Sequence, residues 1–210
     1  QMCIRDRYMQ NPKTNESNLR NLSRFLYRVS HNYRRLISYQ AEMVDLTALN
    51  VIPQIDFTED AHDDEKIKTS YFNTLVQLDK MNMQSEILKC LLIAWREDTF
   101  YGYTYEDDSG FFIYPLDGDY CKVSSVNYDG TLNCAFDFSY FRSHTADLEY
   151  WDSEFNSKYN SFQSDNSLRW QELDPERTFV IKVNIDDPTL NMPPLSRLFE
   201  PLIDLIDLQS

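Results

Sequence analysis

The side chains able to do chemistry in this 210-residue chain are plentiful in one kind and sparse in the others. Thirty-four Asp and Glu face 20 Lys and Arg, with three His and four Cys. His31, His62 and His144 are scattered and show no His-Glu-x-x-His or related ligand spacing, so no metal site is expected. Cys3, Cys90, Cys121 and Cys134 form no Cys-x-x-Cys pair and follow no secretory signal, so they read as reduced thiols packed as small hydrophobes. Four glycines leave no Gly-x-Gly-x-x-Gly or Gly-x-x-x-x-Gly-Lys pattern, which excludes a self-contained nucleotide-hydrolysing domain. No Gly-x-Ser-x-Gly elbow supports a serine nucleophile.

The carboxylates keep one catalytic reading open. Fourteen Tyr, 13 Phe and three Trp beside many acids fit the aromatic platforms of a glycoside hydrolase. Such an enzyme needs two carboxyl groups about 5–10 Å apart. The acids sit mostly in turns, where Asp braces its own backbone, and nothing singles out a pair, such as Asp117 with Asp119, as acid and base. The run Glu59-Asp60-Ala61-His62-Asp63-Asp64-Glu65 lacks the Asp-x-Asp-x-Asp-Gly order of a calcium loop and reads as an exposed loop or helix start. The expectation is a protein without a reaction centre or cofactor.

Charge is unevenly spread. Residues 1–50 carry eight Lys/Arg against four Asp/Glu, and residues 51–210 carry 12 against 30, so a front of +4 precedes a body of −18. That body repels polyphosphate and would let nucleic acid slide past rather than grip it. The basic residues Arg20, Arg24, Arg28, Arg34 and Arg35 lie on or beside the polar faces of two consecutive helices and form the one basic patch. They are the candidate subunit or partner contact.

The elements that must position these residues follow from period and punctuation. The length suits one large domain or two small ones, and no apolar run approaches the roughly 20 residues of a membrane span. Asn15 or Ser17 can cap a helix bearing Leu19, Leu22, Phe25, Leu26 and Val29, and Ser30 a second bearing Tyr33, Leu36, Ile37, Gln40, Met43 and Val44. Val51 to Ile55 reads as extended because of Pro53. A helix through Tyr71, Phe72, Leu75, Val76 and Leu78 precedes another through Met83, Ile87, Leu88, Leu91, Leu92 and Trp95, with Asn82 as its cap. The period then changes. Phe100–Tyr105, Phe111–Pro115, Tyr120–Val123 and Leu132–Phe136 read as four strands of one small antiparallel meander, with turns at Asp107–Gly110, Leu116–Asp119 and Asp129-Gly130. Asp147–Phe162 reads as an amphipathic helix with Tyr150, Trp151, Phe155, Tyr159 and Phe162 on one side. Ser161–Ser167 reads as a polar loop, Trp170 and Leu173 as the approach to the Asp174-Pro175-Glu176 turn, and Phe179–Val183 as a strand. Pro194 suits the first turn of a last helix through Leu195, Leu198, Phe199, Leu202, Ile203 and Ile206.

The expected class is α+β, with N-terminal helices, a central wing-like meander, a further helix and strand, and a C-terminal helix. Four segments follow: 1–7, a leader resembling translated sequencing adapter; 8–98, helical; 99–194, β-rich with an inserted helix; and 195–210, the start of a helix cut by the chain end.

The order of these segments resembles phage portal proteins of tailed phages infecting Gram-positive hosts. The likeness rests on residues 18–28, 30–39, Arg96–Tyr103, Tyr114–Lys122, Phe136–Phe141 and Pro193–Glu200, and covers nearly all of residues 10–210. It implies the N-terminal, mostly wing part of a subunit in a dodecameric ring at one capsid vertex, with stem, clip and crown beyond Ser210. It also implies a virion protein, assembled in the host cytoplasm. Its partners would be copies of itself, the terminase large subunit, major capsid or scaffolding protein and a head-completion adaptor. Double-stranded DNA would pass through its channel, and no membrane is involved. Another virion collar or head–tail connector, or a carbohydrate-binding or hydrolysing domain, are the alternative readings.

Overall fold

The computed structural model describes residues 8–46, 51–52, 64–107 and 110–209. The adapter-like leader with Cys3, most of the Val51–Ile55 stretch, the start of the acidic run and the centre of the Asp107–Gly110 turn lie outside them. The fold is α+β, as the pattern of periods predicts.

Helix α1 (Glu16–Val29) and helix α2 (His31–Glu42) are separated by one extended residue, Ser30, whose hydroxyl accepts the Tyr33 N–H at 3.3 Å. That is the expected cap. Asn15 occupies the cap position of α1, but its side chain makes no capping bond to the helix backbone. Leu19, Leu26, Tyr33 and Ile37 form a core between the two helices. Phe25 and Val29, expected on that buried face, are about half exposed, while Arg20 and Ser23 are buried in their place. The stripe that α1 turns inward runs through residues 19, 23 and 26, and Phe25 and Val29 fall outside it. Ser23 is satisfied there, sharing a hydrogen bond with the Tyr33 hydroxyl at 2.8 Å and donating to the Arg96 carbonyl at 2.5 Å.

Helix α3 (Asp64–Met81) and helix α4 (Met83–Glu97) follow, joined at Asn82, whose φ of 48° breaks the helical path. Asn is among the residues that tolerate this region, and its side chain makes no capping bond. The strands are β1 (Thr99–Asp107), β2 (Gly110–Pro115), β3 (Cys121–Val126), β4 (Leu132–Asp137), β5 (Trp170–Glu172) and β6 (Thr178–Lys182), and helix α5 (Ser153–Ser164) lies between β4 and β5.

The expected single meander is two antiparallel sheets. Hairpin β1–β2 takes β6 on its other side, in the order β2-β1-β6, and hairpin β3–β4 takes β5, in the order β3-β4-β5. Periodicity identifies strands but not partners, and both completing strands come from more than 30 residues downstream. Strand alternation divides β1 between two cores. Phe100 and Gly102 face α4, with Cys90, Ala94, Phe179 and Ile181 around them. Tyr101 and Tyr103 face the second sheet and a cluster of Phe136, Phe138, Phe141, Phe155, Tyr159 and Phe162. Ring pairs such as Phe136–Phe155 (5.5 Å, 88°) and Trp151–Phe155 (4.6 Å, 69°) take the edge-to-face geometry that the aromatic quadrupole favours.

Three boundaries differ from expectation. Helix α5 starts at Ser153, where Asp152 accepts the Glu154 N–H at 2.9 Å, and runs on through Ser164 into residues expected as loop. Tyr150 therefore sits in a preceding 3-10 turn and is exposed. Trp170–Glu172 is a strand rather than a lead-in to a turn. Helix α6 (Phe199–Gln209) opens after a 3-10 turn at Ser196–Leu198, so Pro194 precedes it instead of lying in its first turn. Phe199 meets Tyr33 edge-on at 5.9 Å, which seats α6 on the helical core.

Candidate interaction surfaces

The five arginines of the basic patch do not share one fate. Arg20 is buried and donates to Asp119 at 2.5 Å. Arg24 pairs with the buried Glu97 at 2.6 Å and with Asp117 at 3.5 Å. These bonds lock α1 to the end of α4 and to the Leu116–Tyr120 link between β2 and β3. Hydrogen bonding to Glu97 outweighs burial and holds the Arg24 guanidinium more firmly protonated than usual. Burial pushes the Asp119 carboxyl up, but the Arg20 hydrogen bond and charge, helped by Ser17 and Arg24, bring it below the ordinary carboxylate range. Arg20 is thus corrected from surface contact to internal strut, and Arg24 is largely spent in the same way.

The remaining three stay at the surface. Arg34 donates to the carbonyls of Tyr27 (3.0 Å) and Arg28 (2.9 Å), closing the C-terminal end of α1. Arg35 lies over the Tyr39 ring, 5.3 Å from its centroid, and donates to its hydroxyl. Arg28 is exposed. A cleft of about 400 Å³ beside this group is lined by Arg24, Arg28, Arg96, Tyr114, Tyr140 and Trp151, among others.

A second buried pair fixes the sheet. Asp98, between α4 and β1, has φ 75° and a fully buried carboxylate. It accepts from Lys182 Nζ at 2.7 Å and from the backbone N–H of Asn184 (3.0 Å) and Met192 (3.2 Å). Lys182 also donates to the Leu190 carbonyl at 2.7 Å. The strained backbone is held by bonds from two segments, Lys182–Asn184 and Met192, which is how such a conformation persists. Periodicity gave no sign of this knot, although Asp98 lies within the Arg96–Tyr103 stretch.

Helix α3, the longest helix among the described residues, packs only lightly within the chain, against β2. None of its 18 residues is buried, and Tyr71, Phe72, Leu75 and Val76 lie exposed, Phe72 at 64%. Isolated helices of this length are marginal in water, so an amphipathic face with so little cover favours an external partner.

Catalytic alternatives find little footing in this geometry. Asp119 pairs with Arg20, which favours its ionised form, the opposite of what a general acid needs, and Asp117 accepts from Arg24. Trp151 is packed in the aromatic cluster, and Trp170 carries Lys122 over its ring at 4.2 Å, so neither is a bare platform for a sugar. No group of three or more His, Cys, Asp or Glu among the described residues could hold a metal ion. No helix there is long and apolar enough to cross a membrane. No family model, no curated protein and no solved structure matches the chain.

Proposed function

We propose that this chain is a wall subunit of a phage portal ring, the channel through which the genome is packaged and released. The observation that carries the reading is α3, a long helix with no fully buried residue, whose Phe72 is 64% exposed. A ring is built from heterologous contacts in which one surface of a subunit meets a different surface of the next. The α3 face is a surface of that kind, and the exposed Arg28 and Arg35 meet complementary charge on the acidic body of a neighbour. A body of net −18 suits a duct for DNA, since few cations mean few phosphate contacts to break at each step. Terminase, capsid or scaffolding protein and a head-completion adaptor would then dock on the assembled ring.

The test is a double substitution, Phe72→Glu with Leu75→Glu, followed by sedimentation velocity. Both side chains are exposed, so the fold survives and the circular dichroism melt is unchanged within a few degrees. The wild-type chain sediments as a large, discrete oligomer and the variant as a monomer. An unaltered oligomer in the variant removes α3 from the subunit contact and with it the support for this reading.

A further inference from the structure

A tyrosine ring gains most of its free energy from contact, so one held wholly in water on a fixed turn calls for an explanation. Tyr128, in the turn between β3 and β4, is the most exposed large apolar side chain among the described residues. The backbone beneath it is tied. The Asn127 N–H donates to Thr131 O (2.8 Å), the Gly130 N–H to Asn127 O (3.0 Å), and Asp129 Oδ1 accepts from the Thr131 N–H (2.9 Å) and hydroxyl (2.7 Å). Gly130 supplies the positive φ, 86°, at the turn. Asp129 is the one charge between Lys122 and Cys134, and its Oδ2 makes no bond among the described residues. The tip is therefore a preset knob with a ring and a free carboxylate oxygen side by side.

The cleft of about 400 Å³ beside α1 is its converse. The lining joins Ile93, Leu116 and Phe136 to the rings of Tyr114, Tyr140 and Trp151. Tyr114 and Tyr140 each stand across Trp151, at 5.2 and 5.8 Å between ring centroids. Its cations outnumber its anions, with Arg24, Arg28 and Arg96 against Glu97 and Asp117. Glu97 is shared, accepting from Arg24 at 2.6 Å and from Arg96 Nε at 2.9 Å, so one carboxylate answers two guanidiniums. Arg28 is exposed, and its guanidinium has no partner among the described residues. In a chain of net −14 this is a positive recess with aromatic walls. Its size is at the small end for ligand sites, about 300–1,000 Å³, and suits a side chain or two.

We infer that Tyr128 and Asp129 of one copy enter this cleft on the next, the phenol ring packing on Tyr114, Tyr140 and Trp151 and the free carboxylate oxygen meeting Arg28. The hairpin does not reach its own cleft. Cys121 pairs with Phe136 at its base and Val126 with Leu132 at its tip, so the tip stands about 13 Å beyond the cleft-lining Phe136. Knob and recess share no residue, which makes the contact heterologous, each copy offering one of each. The occupant is a second copy because the tip carries the ring and the negative charge that this lining complements. Its fixed backbone, and a ring with two rotatable bonds, keep the entropy lost on docking small. Tyr and Arg are the residues that dominate contacts of this kind. The inference rests on the ring reading and names one contact within it, separate from the α3 face.

Sedimentation velocity of the full chain tests it with two variants at exposed positions, Tyr128→Ala and Arg28→Glu, whose circular dichroism melts should match the wild type. Alone, each raises the concentration at which the oligomer dissociates by about ten-fold or more. Tyr128→Ala keeps a sound recess and Arg28→Glu a sound knob, so an equimolar mixture forms a heterodimer at concentrations where either variant is a monomer. If a variant does not fold, a photoreactive benzophenone in place of the Tyr128 ring decides: it crosslinks to the Arg28-bearing peptide of an isotopically labelled second copy, and a crosslink elsewhere or none overturns the inference. An oligomer unchanged by both folded variants also overturns it; if Phe72→Glu with Leu75→Glu still breaks that oligomer, the ring reading stands. Failure of the mixture to dimerise overturns the inference as well. A wild-type chain that stays monomeric well into the micromolar range overturns both.

Discussion

Replacing Lys182 by Met removes one half of an ion pair whose side chains are 1% and 0% exposed, and the consequence can be sized from its surroundings. The Asp98 carboxylate would keep the N–H groups of Asn184 and Met192 but lose its compensating charge at a fully buried position. Breaking a buried pair from one side costs about 3–5 kcal/mol, mostly the penalty on the charge left behind. Asp98→Asn costs a similar amount by stranding the ammonium, and Asn still tolerates the positive φ of that position. In the double variant neither charge is present. Its cost should fall short of the sum of the two singles by about 2 kcal/mol, within the range measured for contacting residues. For a chain of this size each kcal/mol moves the melting temperature by about 2–4 °C, so Lys182→Met should melt roughly 6–20 °C low. Urea titrations of the four proteins, with slopes compared to confirm two-state behaviour, supply the cycle. A Lys182→Met cost below about 1 kcal/mol, or strict additivity, would refute the assignment of this pair as the knot that holds α4, β1 and β6 together.

Two other outcomes follow from packing and charge. Gly102→Ala should destabilise by about 1–3 kcal/mol, because the new methyl would meet the rings of Phe100 at 2.6 Å and Phe179 at 2.9 Å inside a filled core; thermal melts check it, and an unchanged melting temperature would contradict the close packing. Burial raises the Asp137 and Asp152 carboxyls, but hydrogen bonds and charge from Arg169 and Ser139 for the first, and from the Glu154 N–H and Arg177 for the second, bring both below the ordinary value. Asp119 behaves likewise with Arg20. A carboxyl lowered in the folded state adds stability that is complete above the unfolded value, near pH 4, and is lost as pH falls through the folded value. Urea midpoints should therefore decline below about pH 4, and less steeply in Arg169→Met; an identical acid limb in the variant would contradict the Asp137–Arg169 link.

Much of the fold could be read from the sequence because local signals and tertiary packing agree there. Ser30 breaks and caps within one residue, and the Phe100–Tyr105 and Phe111–Pro115 runs meet as a hairpin in register. What could not be read is whatever depends on distant partners. The allocation of strands to two sheets depends on β5 and β6, which return across a helix and a turn. The fate of the arginines depends on rotation of α1, since a helix pattern cannot distinguish an arginine on a solvated face from one turned toward Asp117 and Asp119. A signal was present in the sequence all the same. Two aspartates flank a glycine in the Tyr114–Lys122 stretch, an acidic turn able to receive a buried guanidinium. The Asp98–Lys182 knot joins residues 84 positions apart, and no period announces it.

The proposal that copies of this chain close into an annulus is tested most directly by native mass spectrometry of the chain, backed by negative-stain images of the same sample. The prediction is one dominant assembly of twelve subunits whose images show a central opening. A single subunit mass at concentrations well into the micromolar range, with no ring in the images, would contradict it.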